Sequence, residues 1–186
     1  MEVFSIILDW FGGAVISLPL IAAFLFLTDR CRFIKKWIWV ILFVLYMHAM
    51  LNIVGVPNIS YIRWYPVINW IPFTDLSGRN IIGMVLNIAL FIPFGGFVTL
   101  YFKEFQGLKN ILITGFLMSL SIEILQLATY RATDVDDLIM NTLGAVFGYG
   151  IAKVGFKKFI VQESSRDKVK LAVMILLTLL VIFFAR

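Results

Sequence analysis

The chain has 186 residues, of which 61% are hydrophobic and 15% charged, with a mean hydropathy of +0.97 and a net charge of +5. Soluble domains are about half apolar, so this composition excludes an ordinary soluble domain and indicates a membrane protein. The single cysteine, Cys31, excludes an internal disulfide, and the sequence has no Cys/His cluster of the kind that binds zinc. We predict no metal and no cofactor.

Six apolar segments are long enough to cross a bilayer, which takes roughly 17–25 residues in a helix. They are residues 11–28, 37–56, 81–102, 110–129, 138–155 and 169–185. We therefore predict an all-α fold, a polytopic membrane bundle of about six transmembrane helices. The single histidine, His48, lies within the second segment, where we expect a packed residue that finds a hydrogen bond.

Basic residues are concentrated in three of the predicted loops. Residues 29–36, 103–109 and 153–170 together hold 12 of the 16 Lys and Arg side chains. Because cytoplasmic loops carry the excess of basic residues, we predict these loops inside and both chain termini outside. Basic loops that face an anionic inner leaflet also account for the positive net charge without a nucleic-acid partner.

We predict three parts along the chain. Residues 1–56 form two transmembrane helices with a basic cytoplasmic loop, 57–155 form a core of an outer aromatic loop and three helices, and 156–186 form a charged linker and a C-terminal anchor. The outer segment 57–80 is rich in proline and in the aromatic residues that favour a membrane interface. It is either an aromatic belt on the outer leaflet or a lid over polar residues; the sequence does not distinguish these.

Polar residues in the third, fourth and fifth spans are predicted to share one depth. Asn87, Glu123 and Asn141 each lie about four to six residues below the outer end of their span, which is roughly 6–10 Å at 1.5 Å per residue. Glu123 is the most informative, because a charge at the centre of a span costs about 2.5–3.5 kcal/mol. Helical periodicity predicts that the fourth and fifth spans pack together, with Glu123, Gln126 and Asn141 facing a shared interior.

Glycine and proline residues are expected to shape the same three helices. Gly144 and Gly148 are four residues apart, a spacing that allows another helix to approach closely. Pro93, with the pair Gly95–Gly96, is expected to kink the third span and to free backbone carbonyls.

The turn between the fourth and fifth spans carries four charged residues, Arg131, Asp134, Asp136 and Asp137. One interpretation is a capping box, Thr133-x-x-Asp136, that begins the fifth helix. The other is a ligand or ion site. The asparagines of the spans have the same two interpretations, since they can also form interhelical hydrogen bonds worth about 0.6–2 kcal/mol.

Several spaced motifs between residues 57 and 150 resemble the VanZ family. They occur in the order "IPF" at 71–73, "NIALFIPFG" at 87–95, "SIEILQ" at 121–126 and "R..DVDDLIMNTLG" at 131–144, followed by Gly148. The resemblance implies a small bacterial membrane protein from a family named for teicoplanin resistance, with no established enzymatic activity. The positions that match the family's polar and glycine pattern are 93–95, Glu123, Gln126, Arg131, Asp134, Asp137, Asn141 and Gly144.

Two classes of function remain open. In the first, an outer polar pocket binds membrane lipids, a lipid-linked peptidoglycan precursor or the lipoglycopeptide antibiotic itself. In the second, a membrane-embedded enzyme acts on lipid headgroups, with Glu123 as general acid or base and the aspartates holding a divalent ion. We favour binding, because no Cys or His lies near the acidic turn. The candidate site residues are Asn87, Glu123, Gln126, Arg131, Asp134, Asp136, Asp137 and Asn141.

Overall fold

The apolar segments fold into α-helices, which satisfy every interior backbone hydrogen bond without water. The computed structural model describes residues 2–29, 34–63, 67–74, 76–129, 132–160 and 167–184. Within these ranges there are six α-helices: α1 (Glu2–Asp29), α2 (Ile34–Ile53), α3 (Gly78–Tyr101), α4 (Leu108–Gln126), α5 (Val135–Gly155) and α6 (Asp167–Phe184). Three short 3₁₀ helices lie at Ile59–Tyr61, Lys103–Phe105 and Lys157–Phe159.

Three of the described helices, α3, α4 and α5, are long and apolar enough to cross a membrane. The apolar stretches found in the first two helices, Gly13–Leu27 and Ile38–Ile53, are shorter. The predicted all-α class is therefore confirmed, apart from one pair of two-residue strands. The count of six spans and the outside position of both termini stay predictions.

The chain divides into two compact units. One unit holds α1, α2 and α6, and the other holds α3, α4 and α5. In the first unit, the Nε2 atom of His48 lies 2.8 Å from the hydroxyl of Ser17, and both side chains are buried. The prediction that His48 is a packed residue with a hydrogen bond is confirmed.

The second unit is built on close contact between α3 and α5, its most extensive helix pair. A Cβ atom at Gly144 would overlap the carbonyl oxygen of Ile88, and one at Gly95 would overlap that of Ala145. The helix that approaches the glycines of α5 is therefore α3. The predicted packing of α4 against α5 also occurs.

Proline does not interrupt the third helix. α3 runs as a single helix from Gly78 to Tyr101 with Pro93 inside it. The predicted kink of α3 stays a prediction, and the lack of a side chain at Gly95 serves the contact with α5.

Two short strands connect the segment before α3 to the turn before α5. β1 (Ile68–Asn69) pairs in parallel with β2 (Thr133–Asp134), in the register Ile68 to Thr133 and Asn69 to Asp134. The backbone N–H of Thr133 also donates to the carbonyl of Val67 at 2.8 Å. This pairing fixes the end of α4, the start of α5 and the segment before α3 at one end of the unit.

Helix boundaries follow from this pairing. α4 ends at Gln126, three residues before the predicted end of the fourth span, and α5 begins at Val135, three residues before the predicted start of the fifth. The chain leaves α4 early because the backbone near β2 is needed for strand pairing. α5 begins early because Asp134 caps it.

Candidate functional site

Glu123 lies in the last turn of α4, and only 4% of it is exposed. Its Oε2 atom accepts a hydrogen bond from the backbone N–H of Asp134 at 3.1 Å, and its carbonyl oxygen accepts one from the hydroxyl of Thr133 at 3.1 Å. A buried carboxyl group requires polar partners. β2 supplies one such partner through the N–H of Asp134, so Glu123 joins the end of α4 to the strand that leads into α5.

Asp134 is the N-cap residue of α5. Its backbone is extended, and its Oδ1 atom accepts a hydrogen bond from the N–H of Asp136 at 2.9 Å. The predicted capping box centred on Thr133 is therefore wrong by one residue, because the hydroxyl of Thr133 faces α4 and helical geometry begins at Val135. The second carboxylate oxygen, Oδ2, accepts from the side-chain amide of Asn69 at 3.2 Å.

Asp136 holds the segment that precedes α3. Its carboxylate is almost fully buried, and both oxygens accept from the backbone N–H of Phe73, at 2.9 and 3.2 Å. Phe73 has a φ of +58°, a left-handed conformation that is uncommon for a bulky side chain. Such a residue costs of order 1–3 kcal/mol and persists only where its surroundings fix it. Asp136 is one of the groups that fix it.

Asp137 and Asn141 connect α5 to the other two helices. The side-chain amide of Asn87, in α3, donates to Oδ1 of Asp137. The amide of Asn141, of which 2% is exposed, donates to the hydroxyl of Ser119 in α4 at 3.0 Å. Both asparagines thus form the interhelical hydrogen bonds that were one of their two interpretations.

The predicted site residues are distributed over three sets of contacts. Glu123, Asp134 and Asp136 form one connected set with the segment 67–73. Asn87 pairs with Asp137, and Asn141 pairs with Ser119. Their common depth below the membrane surface stays a prediction.

Gln126, the last residue of α4, is buried, with 4% of it exposed. Arg131 lies outside the described residues.

Asn69 and Phe73 were missed as members of this cluster. Asn69 contributes a side-chain amide, and Phe73 contributes only its backbone N–H. The motif "IPF" at 71–73 was a signal for this segment, because it was one of the motifs that carried the family resemblance. A backbone donor has no signature in the side-chain sequence, so the contact itself could not be predicted.

The carboxylates of the cluster are engaged by amide donors of the chain itself. Two N–H groups reach Asp134, and one N–H group reaches both oxygens of Asp136. Within the described ranges, no three His, Cys, Asp or Glu side chains are grouped in a way that could hold a metal ion. The N-terminal turn of α5 favours negative charge near Asp136 and Asp137. The arrangement suits hydrogen bonding to polar groups more than ion coordination.

Comparisons with known proteins agree with the motif pattern. A family model described as VanZ/LLP1 matches residues 33–158, which extends the resembling region by 33–56, where α2 lies, and by 151–158. Protein VanZ of Enterococcus faecium is 32% identical over 148 residues, which cover 79% of this chain and 84% of that protein. No solved structure is significantly similar to this chain.

Proposed function

The chain belongs to the VanZ-like family, and from this premise we propose that it is a multi-pass protein of the bacterial cell membrane that lowers susceptibility to lipoglycopeptide antibiotics such as teicoplanin. The observation that carries the proposal is the similarity to Protein VanZ over most of both chains. The three long apolar helices of the described part support the membrane location.

The protein acts by binding, and the cluster around Glu123 and the aspartates is its binding site. The ligand is a lipid-linked peptidoglycan precursor or the drug itself, held at the outer leaflet beside membrane lipids. Both are rich in hydroxyl and amide groups, which are hydrogen-bond donors. Each carboxylate oxygen has two lone pairs, so Asp134, which is partly exposed, retains acceptor capacity for such donors.

A site that meets teicoplanin must lie on the outer side of the membrane. The N-terminal end of α5 and the segment 67–76 belong to the outer face if both chain termini are outside. Teicoplanin carries an acyl chain and therefore concentrates at the outer leaflet, where a site at this end of the helices would meet it. Vancomycin has no such chain. No observation in the described residues favours an enzyme over binding.

Expression in a susceptible Gram-positive host tests the proposed function. The inhibitory concentration of teicoplanin should rise more than that of vancomycin, at a membrane level of the protein that is verified by immunoblotting. A matched strain with the Asp137→Ala variant should show less protection while the protein still accumulates. Equal inhibitory concentrations of both drugs, with and without the intact protein, would contradict the proposal.

Purified protein distinguishes the two ligands. Lipids that co-purify in mild detergent are identified by mass spectrometry, and fluorescently labelled teicoplanin is titrated into the delipidated protein. An undecaprenyl-type lipid indicates the cell-wall precursor. Saturable binding of teicoplanin to delipidated protein indicates the drug.

A further inference from the structure

Apolar side chains are exposed just before β1 and between β1 and α3, and they form a strip along the sequence. Trp70 is 72% exposed, Ile71 69% and Leu76 61%, while Val67 and Phe73 are each 44% exposed. Proteins rarely expose contiguous apolar groups to water unless the surface binds a partner or a membrane. This strip therefore requires a partner that covers apolar surface.

The backbone beneath this strip is fixed. The β1–β2 pairing holds Ile68 and Asn69, and the carboxylate of Asp136 holds the N–H of Phe73. These contacts use the backbone and the polar side chain of Asn69, which leaves Trp70 and Ile71 facing away from the unit. The apolar side chains are therefore presented by a structured segment.

The exposed strip continues onto a membrane-length helix. α3 begins at Gly78, and its first turns expose Ile81, Ile82 and Val85. These are the side chains that a spanning helix directs at lipid. Since α3 can cross a bilayer, the residues just before it lie at the level where acyl chains meet headgroups.

Charge at the ends of the strip fits a lipid surface. Among the described residues from 63 to 79, the charged side chains are Arg63 and Arg79, and both are exposed. Arginine at the membrane–water boundary pairs with lipid phosphates, and tryptophan favours the same layer. Along the sequence, an exposed arginine thus stands on either side of the apolar residues, and the acidic Asp75 lies between the two arginines.

We propose that residues 67–74, together with Leu76, form an interfacial strap that inserts Trp70, Ile71 and Leu76 into the headgroup–acyl boundary of the bilayer at the N-terminal end of α3. Asp134 and Asp136 hold the strap against α5 while its side chains contact lipid. The partner is the bilayer itself. The strap requires neither a specific ligand nor the resistance phenotype, so it stands independently of the proposed function.

A nitroxide label on the strap tests the contact. In a Cys31→Ser background, full-length Ile71→Cys protein is spin-labelled and reconstituted in vesicles of phosphatidylethanolamine and phosphatidylglycerol. Collisions with oxygen, which partitions into lipid, are compared with collisions with a water-soluble nickel chelate. Labels at Ile82→Cys and Glu104→Cys calibrate the method, because Ile82 is exposed on α3 and Glu104 is exposed in the turn after it.

The three outcomes are distinct. Oxygen accessibility at position 71 that resembles position 82 supports the strap. Nickel accessibility that resembles position 104 places the segment in water and overturns it. Protection from both reagents would mean that protein covers the segment, which also overturns a lipid partner.

A matched pair of aspartate variants tests how the strap is held. Asp136 and Asp137 both lie in the first turn of α5, but Asp136 binds the strap and Asp137 binds Asn87 of α3. Asp136→Ala should therefore increase the mobility of the label at position 71, which narrows the lines of its EPR spectrum. Asp137→Ala should leave those lines unchanged. Equal effects of the two variants would contradict the role of Asp136 in the strap.

Discussion

Gly148 of α5 lies against the main chain of Ile92 in α3, so closely that a Cβ atom at Gly148 would overlap the Ile92 carbonyl oxygen. The contact brings two backbones together and leaves no space for a side chain. It also sets the separation of the two helices that carry Asn87 and Asp137. The position of this polar pair therefore depends on a glycine about three turns farther along α5 than Asp137.

Gly148→Ala should destabilise the protein by about 1–3 kcal/mol, the usual cost of overpacking a core. A neighbouring glycine provides the control. Gly150 has nothing within 4 Å of a built Cβ atom, so Gly150→Ala should be neutral or gain up to about 1 kcal/mol from helix propensity. Thermal unfolding of the purified proteins in detergent, followed by tryptophan fluorescence, measures both. Equal melting temperatures of the two variants would show that the α3–α5 contact tolerates a methyl group.

We expect that the main structural role of Asp134 is to cap the N-terminus of α5. Asp134→Asn should keep near-normal stability, because asparagine caps as well as aspartate, and Asp134→Ala should lose about 0.5–2 kcal/mol. Asn69→Ala removes the other partner of the Asp134 side chain and should cost less, because the amide of Asn69 is exposed. Chemical denaturation in detergent ranks the three variants. A larger loss in Asn69→Ala than in Asp134→Ala would mean that strand pairing, and not capping, is the main role of Asp134.

Glu123 accepts a specific hydrogen bond, so substitutions at this position should differ in how much they destabilise the protein. Gln keeps an oxygen that can accept from the N–H of Asp134, whereas Leu leaves that N–H without its side-chain acceptor at a cost of about 1–3 kcal/mol. We expect the protein level in the membrane to follow the order wild type, Glu123→Gln, Glu123→Leu. Resistance measured at matched levels then separates stability from function. Full resistance in Glu123→Leu would exclude Glu123 from the binding site.

Sequence periodicity predicted the helices and the buried polar faces because both depend on local spacing. Glu123, Gln126 and Asn141 are buried, as the helical pattern indicated. The helix that packs against Gly144 and Gly148 was not predictable in the same way. Glycine spacing shows that a helix can approach closely but does not specify which helix it is.

The exact start of α5 was also beyond sequence reasoning. Thr133 and Asp134 are both good caps, and β2 pairing decided between them by turning the Thr133 hydroxyl towards α4. The contact between Phe73 and Asp136 uses a backbone N–H as the donor. Almost every residue has such a group, so the side chains in the sequence do not reveal the contact. Both features depend on where two distant segments meet, which local patterns do not specify.

Two exposed turns report on which side of the membrane the polar cluster lies. Ala132 is exposed in the turn between α4 and α5, and Glu104 is exposed in the turn between α3 and α4. If α4 spans the bilayer, these turns lie on opposite sides. The excess of basic residues in the other loops predicts that Ala132 is outside and Glu104 inside.

Single cysteines at these two positions, each in a Cys31→Ser background, provide the measurement. In intact cells, a membrane-impermeant maleimide should label Ala132→Cys and leave Glu104→Cys unmodified. After the cells are permeabilised, both should react, which shows that each thiol is accessible. The reversed pattern in intact cells would place the cluster on the cytoplasmic side. An outer-leaflet site for teicoplanin would then be excluded, while the hydrogen bonds that connect Glu123, Asp134 and Asp136 to the segment before α3 would be unaffected.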